Sequence, residues 1–231
     1  MQYVMIIKKV GGRMKKLRFV VLIFCVLLLA TSGAFAKDNM GIKYTLLGGI
    51  DVVGEAEAEF DNDVLDDLLG GDEDVDPGLT IGIEGALPFG EGFEVGLGFR
   101  YLIPRDIDQD EGAVGVSAII PYLLLQYNIP VEDDIAPYLV IHLGYGVPLF
   151  DTSEAEESLE DEGLSNPSYD ATPGFHYGIG AGLYFTEKVG LQFLYSVSNF
   201  DGQLTSDSLP SDEDLEIKYS RLTIAVTYSF N

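Results

Sequence analysis

Eight stretches of this chain alternate large apolar residues with small or polar ones, and the connections between them alternate short and long. A period of two is the signature of a strand with two unlike faces. In Phe93-Glu94-Val95-Gly96-Leu97-Gly98-Phe99-Arg100-Tyr101 one face is Phe, Val, Leu, Phe and Tyr and the other Glu, Gly, Gly and Arg. The spacing predicts strands over 41–53, 79–88, 92–103, 113–128, 135–148, 173–186, 189–199 and 216–230. Gly90-Glu91, Val131-Glu132-Asp133-Asp134 and Glu187-Lys188 make three tight hairpins. The other four connections are long. Three turns at one end and four loops at the other predict an all-β fold, an eight-stranded antiparallel up-and-down transmembrane β-barrel. A soluble β-sandwich alternates as well, but nothing would gather its long connections at one end.

The charge follows the same division. Acids number 11 in Glu55–Asp76, 4 in Asp106–Glu111, 8 in Asp151–Asp170 and 6 in Asp201–Glu216, so 29 of the 38 lie in the four long connections. The intervening segments are nearly uncharged. Acidic loops on the cell's outer side are therefore expected, and a nucleic acid partner is excluded because a polyanion would be repelled.

Residues Met14 to Ala36 have the layout of a secretory signal: Lys15, Lys16 and Arg18, an apolar run from Phe19 to Ala30, and a small-residue site at Ala34-Phe35-Ala36. That run is too short for a spanning helix, which needs about 20 residues. Residues 1–36 are read as an N-terminal extension and cleaved signal peptide, with Met14 an alternative start, and 37–231 as the barrel domain. The chain from Lys37 onward has seven basic side chains against 38 acids, a net charge of −31, and no cysteine, since Cys25 lies within the signal. Neither a disulfide nor a thiolate metal site is expected there.

The face opposite the large aliphatics is mostly Gly, Ala, Ser and Thr, which suits the crowded interior of a narrow barrel. Lys43, Asp51, Glu84, Glu94, Arg100, His142, His176 and Arg221 point inward by parity. Charges there must pair, because an isolated buried charge is costly. A network plugging the lumen is expected, with a gated ion path through the same charges as the alternative. Tyr101, Tyr122, Tyr127, Tyr145, Phe150, Tyr184, Phe185, Tyr228 and Phe230 sit near strand ends and are read as aromatic girdles.

These residues resemble the outer-membrane β-barrel domain family of OmpA-like and OmpW-like porin-type proteins. The run Ala136-Pro137-Tyr138 to Gly146 resembles that family's fifth strand, and Gly178–Tyr184 with Thr186–Leu191 its sixth strand, turn and seventh strand. Tyr228-Ser229-Phe230 resembles the terminal signal read by the barrel-assembly machinery, although Asn231 follows the usual final aromatic. The resemblance implies a Gram-negative outer-membrane protein in contact with lipid and lipopolysaccharide. It leaves two functions open, a structural or surface-interaction role and a small porin-like channel for cations or small hydrophobic solutes.

Catalysis is not expected. Lipid-editing barrels of the deacylase type carry His-x-Ser, whereas His142 is followed by Leu143-Gly144 and His176 by Tyr177-Gly178. No cofactor is expected either, apart from a calcium candidate at Asp72, Asp74 and Asp76, where acids fall at every second residue but Pro77 stands where an EF-hand-like loop would have glycine. In the first loop, Val64, Leu65, Leu68 and Leu69 invite a short amphipathic helix.

Overall fold

The computed structural model describes residues 41–60, 71–107, 114–131, 135–149, 165–207 and 213–230, of which Ile42 onward belongs to one compact unit. The signal segment and the first-loop helix expected at Val64–Leu69 lie outside the described residues. The described residues form ten strands: β1 (Lys43–Phe60), β2 (Gly71–Asp74), β3 (Gly78–Pro88), β4 (Phe93–Ile107), β5 (Val114–Asn128), β6 (Ala136–Pro148), β7 (Ser168–Thr172), β8 (Gly174–Tyr184), β9 (Val189–Thr205) and β10 (Glu213–Phe230). Every ladder is antiparallel, and β10 pairs with both β9 and β1, which closes the sheet into a barrel.

Ten strands make eight walls. β2 and β3 keep a single register against β1, and between them Val75 N–H donates to Gly54 O at 2.9 Å. They are two lengths of one strand, interrupted at Pro77, which has no N–H to give the ladder. β7 and β8 both pair with β9, offset by one residue across Pro173. Among the described residues there is no helix.

Both ends of the barrel chain and all three tight turns share one end. Phe89 N–H donates to Phe93 O at 2.7 Å across the first turn, where Gly90 and Gly92 take φ of 75° and 79°. A side chain at Gly92 would also meet Asn128 O at 2.7 Å. In the third turn Thr186 Oγ1 accepts from Val189 N–H at 2.9 Å.

The loop end corrects the sequence expectation. Strands β1, β9 and β10 run well past the predicted limits, through parts of the first and fourth acidic blocks. Together β2, β1, β10, β9 and β7 form a taller flank of wall. Its inner face is apolar, with Phe200, Leu204, Leu215 and Tyr219 all buried, while Glu55, Glu59, Asp201, Asp214 and Glu216 are exposed. Acid on one face of a strand makes the window polar enough to pass for loop. A β-bulge at Val52 sets this arrangement. The ladder between β1 and β10 shifts between Asp51 and Val53, so odd-numbered positions face inward up to Asp51 and even-numbered ones from Gly54 on.

Outward positions between the ends are large and exposed, including Leu46, Ile83, Leu123, Ile141 and Ile179. This is the inverse of a soluble fold and suits hydrocarbon. Exposed aromatics flank the band: Tyr145, Phe175, Tyr177 and Tyr195 toward the loop end, Phe93, Phe185, Tyr228 and Phe230 toward the turn end.

Candidate functional site: the interior of the barrel

Inward side chains form layers along the barrel. Nearest the turns, Lys43 Nζ lies 3.2 and 3.1 Å from the two carboxylate oxygens of Glu94 and donates to Tyr184 Oη at 3.0 Å. Asn128 Nδ2 donates to Glu94 Oε1 at 3.0 Å, and Gln126 Nε2 to Asn128 Oδ1 at 2.7 Å. This pair is partly open, at 22% and 16% side-chain exposure.

The next layer is fully enclosed. Tyr122 Oη donates to Glu84 Oε1 at 2.6 Å and accepts from Arg100 Nε at 3.3 Å. Arg100 Nη2 lies 3.8 Å from the same carboxylate oxygen and donates to Gln192 Oε1 on the far wall. His142 stacks on the Tyr122 ring at 4.1 Å, its Nε2 3.6 Å from Glu84 Oε1. One carboxylate thus answers a phenol, a guanidinium and an imidazole from three other strands. Burying Arg100 and Glu84 is tolerable only because each meets its opposite there.

Toward the loop end, Asp51 accepts from Thr80 Oγ1 at 2.8 Å and from Thr223 Oγ1. Arg221 lies over the Tyr219 ring, 5.7 Å from its centroid. His176 Nδ1 and Ser198 Oγ are 2.8 Å apart. Above these polar layers Leu102, Ala118, Phe200 and Leu204 fill the interior.

All eight charges expected from parity lie within the barrel, Lys43 and Glu94 partly open near its turn end and the other six buried. Glu84, Arg100 and His142 come together, Lys43 and Glu94 pair separately, and Asp51 and His176 have hydroxyl partners. Three expectations need correction. Tyr122 and Tyr184 are not girdle residues: Tyr122 is buried beside Glu84, and Tyr184 stacks on buried Tyr138 at 4.7 Å. Ala118–Leu125 is apolar on both faces, so alternation gives no sign of which side is inner. The interior is also not lined mainly by small residues. Some glycines there leave room for a large neighbour; a Cβ at Gly98 would run into the Tyr122 ring, and one at Gly182 into the Tyr138 ring. Finally, the serine missing beside the histidines in sequence is supplied across a ladder, since His176 pairs with Ser198 of β9.

For the calcium candidate, the side chains of Asp72 and Asp74 lie outside the described residues, and Asp76 is exposed. Among the described residues no group of three or more His, Cys, Asp or Glu is placed to hold a metal ion. Of the terminal aromatics, Phe230 stacks on Tyr44 of β1 at 5.8 Å and Tyr228 on Phe230 at 6.4 Å, so the last strand is joined to the first by rings as well as by its ladder.

Comparison with known proteins agrees with this architecture. The crystal structure of the outer membrane protein OprG from Pseudomonas aeruginosa superposes with a TM-score of 0.51 at 14% identity, covering 83% of this chain and 97% of that one. The solid-state NMR structure of the outer membrane protein AlkL in lipid bilayers gives 0.51 at 18% identity, covering 85% and 93%. No curated protein matches the sequence. The model of the outer membrane protein beta-barrel domain matches residues 22–230. With nearly the whole chain matched and the barrel closed, the chain belongs to the outer membrane protein β-barrel domain family and is an outer-membrane protein.

Proposed function

We propose that this protein is a structural and surface-contact barrel whose lumen is plugged by its own side chains. The observation that carries the reading is the enclosed middle layer: Arg100, His142 and His176 each have 0% of their surface accessible. A continuous water path would wet at least one of these polar groups. The loop end would face outward, presenting the acidic face of the tall flank and the long acidic connections to lipopolysaccharide or to a partner. Residues up to Ala36 would serve export, and Tyr228 and Phe230 recognition by the assembly machinery. No catalytic role is assigned, because the His176–Ser198 pair is sealed from any substrate. Calcium at Asp72, Asp74 and Asp76 is a further proposal, tested by calorimetry on the refolded protein at millimolar calcium. Planar-bilayer recording at neutral pH tests the main reading: a silent membrane is expected, and reproducible cation-selective steps would overturn it.

A second reading, a route for small hydrophobic solutes, draws on a different feature. The ladder between β4 and β5 is broken between Leu102 and Arg105, beside the apolar part of the interior, where Pro104 has no N–H to donate. Uptake of a small apolar dye into vesicles, faster with the protein than without it, would favour this route.

A further inference from the structure

The chain has two histidines, and both are enclosed in the barrel. We infer that the plug is proton-sensitive: charging His142 and His176 at acid pH draws Glu84 away from Arg100 and opens the lumen. This rests on the plugged reading above. The groups facing His142 come from several walls: Glu84 of β3, Arg100 of β4, Tyr122 of β5, His176 of β8 and Arg221 of β10, while Ser198 of β9 meets His176 and Asp51 of β1 lies in the layer toward the loop end. With neutral rings the two guanidiniums are balanced by two carboxylates. A proton on each ring adds two positive charges and no negative one, in a space closed to bulk solvent.

Geometry says where the imbalance falls. Neither ring nitrogen of His142 has a hydrogen-bond partner among the described residues, and its Nε2 lies 3.6 Å from Glu84 Oε1. A charged ring donates from both nitrogens. It therefore competes for an oxygen already held by Tyr122 at 2.6 Å and faced by Arg100 at 3.8 Å. Asp51 is occupied by Thr80 and Thr223 and offers no easy replacement. At His176 the Ser198 hydroxyl engages one nitrogen, while Nε2 has no partner among the described residues. An open lumen hydrates these charges. Below the ordinary imidazole value of about 6.5, the open form then gains about tenfold per pH unit for each ring that charges.

The test is planar-bilayer recording on the full barrel as pH falls from about 7.5 to about 4. Silence at neutral pH with openings at acid pH is expected, and His142→Gln combined with His176→Asn should abolish the acid openings. Current already present at neutral pH defeats the plugged reading and this inference together. Silence throughout defeats the inference alone, as do openings unchanged in the double variant. If that variant lacks the heat-shifted migration of a folded barrel, imidazole nitrogen resonances of the wild type decide. Rings that charge over the interval in which current appears support the inference; rings still neutral once it flows overturn it.

Discussion

Tyr122 gives its phenol proton to Glu84 at 2.6 Å, and this one contact ties β5 to β3 through the middle of the barrel. The phenol oxygen in turn accepts from Arg100 Nε, so Tyr122 bridges the two charges. Tyr122→Phe keeps the ring stacked on His142 and removes both bonds. It should lower the unfolding free energy by about 1–3 kcal/mol, the cost of leaving buried polar groups unsatisfied. Urea unfolding in lipid vesicles measures this; an unchanged midpoint would show that the ion pair does without its bridge.

Arg100 and Glu84 should depend on each other strongly. Arg100→Met leaves a buried carboxylate without its guanidinium, a loss of about 3–5 kcal/mol. Adding Glu84→Gln should recover much of it, because the uncompensated charge disappears. A double-mutant cycle in the same unfolding assay reads the coupling, and strictly additive losses would contradict the pairing.

The Lys43–Glu94 pair supplies the contrast. It is wetter, so Lys43→Met should cost about 1 kcal/mol or less, and part of the loss should vanish at high salt. A loss as large as that for Arg100→Met would mean that the turn end is as dry as the middle.

Glycines inside the barrel should resist substitution where those outside do not. Gly98→Ala drives a methyl into the Tyr122 ring and should cost about 1–3 kcal/mol. Gly48 is exposed, with nothing within 4 Å of where a methyl would sit, and should accept alanine within about 0.5 kcal/mol. Equal effects would show that strand propensity, not interior crowding, governs these positions.

Much of this molecule is legible in its sequence because lipid imposes a clean alternation. The inward set from Lys43 to Arg221 follows from parity alone. Three things do not. Tyr122 lies in a run that is apolar on both faces, so its side is settled only by ladder partners. Gln192 and Ser198 matter through partners on other strands, and no local pattern records that Arg100 and His176 reach them. The outer lengths of β1, β9 and β10 carry acid on one face, which mimics the composition of a loop while keeping the alternation of a strand.

The extra residue at Val52 lets one strand obey two solvents. Below it, the odd positions Lys43, Thr45, Leu47 and Asp51 serve the interior; above it, Glu55, Glu57 and Glu59, still odd, belong to water. Removing that single residue would send three carboxylates toward Phe200 and Tyr219 without altering any of their codons. Beyond this point, then, the surface chemistry of the strand is governed by counting. One insertion or deletion there rewrites it wholesale, and a second of opposite sign restores it.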